Sequence, residues 1–182
     1  MTKAPAAILL SLLLLLAGCS TESGDQPGPG DPTGSVVNDP TDGAGTDTFA
    51  LDEVAEFDDG LLVEVAGTVA TKAEVDYRGA EGSSHEIVVV SVRIENGTAQ
   101  EFPAAGVAVS ASYGDDVPAP LVTDPAGELQ RGFRGVVAVG DEAVAPLGFA
   151  VPFSALRRVT VTVDRGDDLF APVSFSGPVE RG

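Results

Sequence analysis

From Leu51 to Gly182 the chain runs in short apolar/polar alternations, each closed by glycine, proline, asparagine or aspartate. The clearest is Val159-Thr160-Val161-Thr162-Val163, three valines of one parity and two threonines of the other. A period of two fits a strand, whose successive side chains point to opposite faces, and cannot line one side of a helix. Leu61, Val63, Val65 and Val69 share a parity against Glu64, Ala66 and Thr68. Val88, Val90, Val92 and Ile94 do so against Ser91, Arg93 and Glu95. Val107, Val109, Ala111 and Tyr113 form another set, as do Ala145, Leu147, Phe149 and Val151, and Val173 with Phe175 closes the series. Val136–Val139 reads as a further short strand leading to Gly140-Asp141.

Turn chemistry fits the same plan. Asp59-Gly60 is a tight-turn dipeptide that lets Glu53–Phe57 pair back onto the following strand, and Asn96-Gly97 ends a strand at a second turn. Only Phe153–Arg157 reads as a single helical turn. Seven or so short strands with Gly/Pro turns predict one all-β domain over residues 51–182, an antiparallel sandwich. A domain of roughly 130 residues buries about two-thirds of its unfolded surface, enough to fold alone.

The N-terminus is of another kind. Lys3 precedes an apolar run, Ala6 to Leu16, broken only by Ser11, and Ala17-Gly18 then supply small residues. Basic, apolar and small segments in that order make a secretory signal over residues 1–18. As a helix, Ala4 to Gly18 would reach roughly 22 Å, short of a ~30 Å hydrocarbon core. Leu16-Ala17-Gly18-Cys19 resembles the bacterial lipobox, the motif of lipoprotein signal peptidase. The resemblance implies a diacylglycerol on the Cys19 thiol and cleavage before it. The protein would then be lipid-anchored in the cell membrane, on its extracytoplasmic side. Cys19 is the only cysteine, so its lipidation leaves no thiol for a disulfide or thiolate metal site.

Residues 19–50 read as a disordered acidic linker. From Ser20 to Ala50 there are six glycines, four prolines and six acids but no basic residue. Only Val36, Val37 and Phe49 offer burial, too little to offset chain entropy. The 51–182 region carries 22 acidic and 9 basic residues, net −13. Such acidity excludes a basic stripe for nucleic acid and disfavours contact with an anionic bilayer. Eight arginines against two lysines, with abundant Ala, Gly and Val, point to a high-GC bacterium such as an actinobacterium.

Four segments follow one another in a recognisable order: "VVVSVRIENGTAQEF" (Val88–Phe102), "GVAVSASYGD" (Gly106–Asp115), "VGDEAVAPLGFAVP" (Val139–Pro152) and "RRVTVTV" (Arg157–Val163). They resemble the telokin-like, immunoglobulin-type domain of bacterial lipoproteins known as DUF4352, with relatives among secreted mycobacterial antigens. The family's proline-containing third turn reads Val139-Gly140-Asp141-Glu142 here. The resemblance implies an extracytoplasmic immunoglobulin-like β-sandwich and transfers no catalytic residue.

Candidate sites are few. His85, the only histidine, stands beside Ser83, Ser84 and Glu86, but in a loop and without a nucleophile motif, so it reads as an exposed loop residue. Copper and zinc lack imidazole and thiolate ligands, and no metal site or cofactor is assigned. Calcium needs only oxygen, which makes the acidic turns Asp58-Asp59, Asp115-Asp116 and Asp164/Asp167-Asp168 weak candidates, none a complete loop. Arg165-Gly166-Asp167 spells an integrin-type tripeptide but is good turn chemistry, as is the sequon Asn96-Gly97-Thr98. The expectation is a non-enzymatic, lipid-anchored module presenting loops to an envelope protein or wall component. A solute- or calcium-binding lipoprotein is the alternative.

Overall fold

The computed structural model describes residues 36–38 and 47–182. Cys19 and its lipobox, Leu16, Ala17 and Gly18, lie outside the described residues. Among the described residues eleven strands form two facing sheets: β1 (Val36–Asn38), β2 (Asp47–Ala50), β3 (Val54–Phe57), β4 (Leu61–Lys72), β5 (Glu86–Asn96), β6 (Ala108–Tyr113), β7 (Val117–Ala119), β8 (Leu121–Val122), β9 (Glu142–Ala150), β10 (Val159–Asp164) and β11 (Val173–Gly177). One sheet runs β1-β3-β4-β5-β9-β8 and the other β2-β11-β10-β6-β7. The fold is the β-sandwich expected from the alternation.

Parity decides what faces in. Val159, Val161 and Val163 are buried, while Thr160 and Thr162 point out and bond Ser176 and Ser174 across the strand pair at 3.0 and 2.8 Å. Val88, Val90, Val92 and Ile94 of β5 meet Ala145, Leu147 and Phe149 of β9 in the main core, with Phe57, Leu61 and Phe175. Each such side chain contributes on the order of 1.5–3 kcal/mol through burial.

Four expectations need correction. Val69 shares the parity of Leu61, Val63 and Val65 in the sequence, yet it is 38% exposed and Ala70 is buried instead. The pairing of β4 with β5 skips Ala66 between Val65 and Gly67, a bulge that inverts every later side chain. Val136–Val139 is not a strand. Only Val137 is buried, paired as a single bridge with Phe102, and Val136 and Val139 face solvent. The sandwich is not wholly antiparallel, because β1 on β3 and β2 on β11 are parallel.

The fourth concerns the spacer. Strands β1 and β2 fall inside residues 19–50, so the folded region starts before Leu51. Phe49 supplies the reason for β2: it is buried and its ring lies 5.6 Å from that of Phe175 on the neighbouring strand. One well-seated aromatic and a row of ladder bonds stabilise a segment whose composition reads as linker.

A second, smaller cluster lies on the outer face of the first sheet. Ile87, Val122 and Ala150 gather there with Ala73 and Ala80 from the connection between β4 and β5. That connection is stitched to the segment after β8 by paired backbone bonds between Arg78 and Thr123, 2.9 and 3.0 Å.

Candidate functional site

Three loops meet at one end of the sandwich. The β3–β4 turn carries Asp59, the end of β5 and the segment after it carry Asn96 to Phe102, and the β10–β11 loop carries Arg165 to Phe170. Gly60 and Gly97 touch backbone to backbone, and a Cβ on either would strike the other's carbonyl. Gly166 sits at φ +77° with the Gly106 carbonyl where a side chain would stand. These positions require glycine if the loops are to close together.

Arg165 holds the end together. Its side chain is 6% exposed and its guanidinium lies 4.1 Å from the Phe170 ring centre, 4.8 Å from Phe57 and 5.5 Å from Phe102. Nη1 and Nη2 donate to the two carboxylate oxygens of Asp59 at 3.2 and 2.6 Å. Nε approaches Asp167 Oδ2 at 2.7 Å but is not aligned as a hydrogen bond, so that contact is an ion pair. The planar fork suits both kinds of partner, taking a carboxylate edge-on while aromatic rings pack around its charge. Burial alone would raise the Asp59 carboxyl, but the bonds from Arg165 and the Leu61 N–H, with the arginine's charge, hold it below the ordinary carboxylate value.

Asn96 braces the middle loop. It is fully buried, its Nδ2 donates to the carbonyls of Gln100 and Val137 at 2.8 Å each, and its Oδ1 accepts the Thr98 N–H at 3.0 Å. Both hydrogens of the sequon's amide are thus engaged inside the fold.

Between these loops opens a cleft of about 720 Å3, lined among others by Asp59, Gln100, Phe102, Arg165, Asp167 and Leu169. Its floor is fixed and its lip is exposed, Leu169 most of all. The arrangement offers hydrogen-bonding groups and an apolar lip on a rigid base, which suits recognition of a surface or solute.

The acidic turns divide. Asp59, Asp164 and Asp167 share this end, but Asp59 and Asp167 face Arg165, and Asp164 and Asp167 accept the N–H groups of Gly166, Leu169 and Phe170. Asp58 and Asp168 are exposed. Asp115 and Asp116 sit at the opposite end of the second sheet, since Tyr113 pairs with Val159 whereas Ala108 pairs with Asp164. Among the described residues no three His, Cys, Asp or Glu side chains converge as a metal-binding group. Of these aspartates, Asp59 and Asp167 come together around a cation the chain supplies itself, Arg165.

His85 lies at the far end of β5, with φ at +61°, half-buried and its Nδ1 unbonded. The neighbouring Ser83 hydroxyl lies within hydrogen-bond reach of the carbonyls of Ala80 and Glu86, at 2.9 and 2.6 Å, rather than of the imidazole. Sequence reasoning passed over Arg165 and Asn96 as turn residues. The available signal was weak: phenylalanines at 57, 102 and 170 in a chain with two tyrosines and no tryptophan.

No family model and no curated protein matches this chain. Among solved structures, the yjhA protein from Bacillus subtilis aligns with a TM-score of 0.56 at 12% identity, covering 72% of this chain and 99% of that one. MPT63, a secreted protein from Mycobacterium tuberculosis, aligns with a TM-score of 0.51 at 11% identity, covering 75% of this chain and all of that one. At such identities the likeness establishes the β-sandwich fold. No helix among the described residues is long and apolar enough to cross a membrane.

Proposed function

We propose that the protein is a non-catalytic recognition module held at the outer face of the cell membrane by a lipid on Cys19. The cleft braced by Arg165 and Asn96 is its contact surface, and its partner is an envelope protein or wall component. The observation that carries this reading is the loop end: close glycine–glycine backbone contacts, a buried arginine clamp and a buried asparagine hub fix three loops around one cleft. Loops set on a stable sandwich are the usual place for such contacts. The lipobox sequence supports the anchor, and the DUF4352-like motifs are in keeping with an extracytoplasmic lipoprotein.

A photo-crosslinking residue at Gln100, in the cleft, should capture a protein or glycan in intact cells, while one at Ser112, on the outer face of the second sheet, should not. Equal capture at both positions would remove the cleft from the reading. Cys19→Ala should abolish labelling by a palmitate analogue and release the protein from membranes; undiminished labelling would sink the anchor. The cleft's volume also falls in the ~300–1,000 Å3 range of solute pockets. A small molecule that co-purifies with the chain and blocks Gln100 crosslinking would favour that alternative.

A further inference from the structure

A second concavity lies on the outer face of the first sheet, at the opposite end of β4 and β5 from the Arg165 cleft. It measures about 420 Å3, and Tyr77, Ile87, Val89, Leu129 and Pro146 give it an apolar floor. Its construction is specific. Asp124 accepts the N–H groups of Gly127, Glu128 and Leu129, the last at 2.6 Å, which fixes the loop after β8. Leu129 then lies on β9 where Gly148 leaves room, since a Cβ at 148 would stand 2.7 Å from its Cδ1.

The rim is acidic. Glu74 and Glu128 line the concavity together with one cation, Lys72. The Tyr77 hydroxyl is shifted upward by desolvation and then by the charges of Asp124, Glu128, Glu74 and Asp76. Two carboxylates, Glu74 and Glu128, against one lysine thus edge an apolar floor that remains partly open to solvent, with Asp124 and Asp76 adding negative charge nearby.

We infer that this face docks a basic, amphipathic peptide segment of a partner protein, with aliphatic groups on Val89, Leu129 and Tyr77 and cationic heads on the Glu74–Glu128 rim. Charge complementarity selects that occupant. The chain's own residues 19–50 carry six acids and no cation, so they are repelled, and a second copy brings the same net −13 over residues 51–182. Lysine and arginine side chains have the required form, an apolar stem beneath a charged head.

The test is fluorescence anisotropy on the full chain with three probes. They are a labelled hexapeptide alternating leucine and lysine, its glycine–lysine counterpart of equal charge, and hexyltrimethylammonium as a competitor. The leucine–lysine peptide should bind best, and the double variant Glu74→Gln/Glu128→Gln, on exposed side chains, should weaken it by about tenfold. Val89→Thr, nearly isosteric, should weaken it by about threefold through the lost apolar contact. Asp115→Asn/Asp116→Asn removes equal charge at a distant turn and should change binding less than twofold. An equal loss in that control, or equal binding of the glycine–lysine peptide, would reduce the interaction to net charge and overturn the site. Full displacement by hexyltrimethylammonium at the peptide's own concentration would overturn the peptide in favour of a small organic cation. The Arg165 cleft is untouched by these variants, so the two readings stand or fall separately.

Discussion

Two aspartate–arginine pairs occupy turns at opposite ends of the sandwich, and their contact distances are nearly the same. Arg165 meets Asp59 at 2.6 Å and Arg158 meets Asp115 at 2.8 Å. The first guanidinium is 6% exposed among three phenylalanines, whereas the second is 55% exposed beside a carboxylate wholly in water. In water a pair replaces hydration it could have kept. In the Arg165 cage the hydration is already gone, and the carboxylates and rings must substitute for it. Distance is therefore a poor guide to what an ion pair does, and burial a good one.

The upper limit of that contrast is a buried charge with no partner. Val161→Asp places a carboxylate at a fully buried site between β6 and β11, where no cation stands. The expected cost is several kcal/mol from a total of ~5–15, so the domain should unfold or melt far earlier. Thr160→Asp, one residue away on the outer face, should remain folded. Equal melting temperatures for the two would mean that parity does not control burial in β10.

Next comes the clamp itself. Arg165→Ala removes the guanidinium from beneath three rings and leaves Asp59 and Asp167 facing each other without their cation. Both carboxylates are about one-third exposed, 33% and 29%, and regain some water, which moderates the loss. A destabilisation of about 2–4 kcal/mol is expected from the denaturant midpoint, with an unchanged slope. Arg165→Lys keeps the charge but loses the fork, and should recover only part of it. Full recovery by lysine would show that the planar, two-oxygen geometry is incidental.

The pH dependence sharpens the same point. The folded Asp59 carboxyl lies below its ordinary value, so its contribution is complete above the unfolded pKa of ~3.9 and disappears as pH falls through the lower folded one. Asp59→Asn keeps the shape and can still accept the Leu61 N–H. The stability gap between the two proteins should be constant from about pH 7 to about pH 5 and close below about pH 4. A gap that persists in acid would mean that the carboxylate's charge is not what Arg165 reads.

How far this was legible in the sequence follows from the physics of each part. β5, β9 and β10 were readable because an unbroken period of two reports a face directly. β4 was readable only to Val65, since a bulge at Ala66 changes register without changing composition. β2 was hidden because a four-residue edge strand depends on one aromatic finding Phe175 more than a hundred residues later. The cleft was hidden for the same reason. Arg165-Gly166-Asp167 carries its own turn chemistry, and nothing local shows that Phe57 and Phe102 close over the arginine. Asp59 and Asp167, far apart in sequence, meet at one end, but the cation between them is the chain's own Arg165.

The smallest effect is expected at the other turn. Arg158 Nε donates to the Gly114 carbonyl at 2.7 Å, Nη2 bonds the same oxygen, and Nη2 also meets Asp115. These contacts duplicate what water offers an exposed guanidinium, and ordering the long side chain offsets them through lost rotamer freedom. Gly114 retains its own backbone bond, its N–H donating to the Arg158 carbonyl at 3.0 Å, which survives a side-chain change. Arg158→Ala should therefore leave the denaturant midpoint within experimental scatter, and Asp115→Asn should do the same. Combining them should add nothing, because a double-mutant cycle isolates only the coupling between the two groups. The same cycle built on Arg165 and Asp59 should return a large coupling that persists in high salt, since buried pairs are screened much less than exposed ones. If the Arg158 cycle matched it, burial would not be the variable that separates the two turns, and the Arg165 clamp would be an ordinary surface contact.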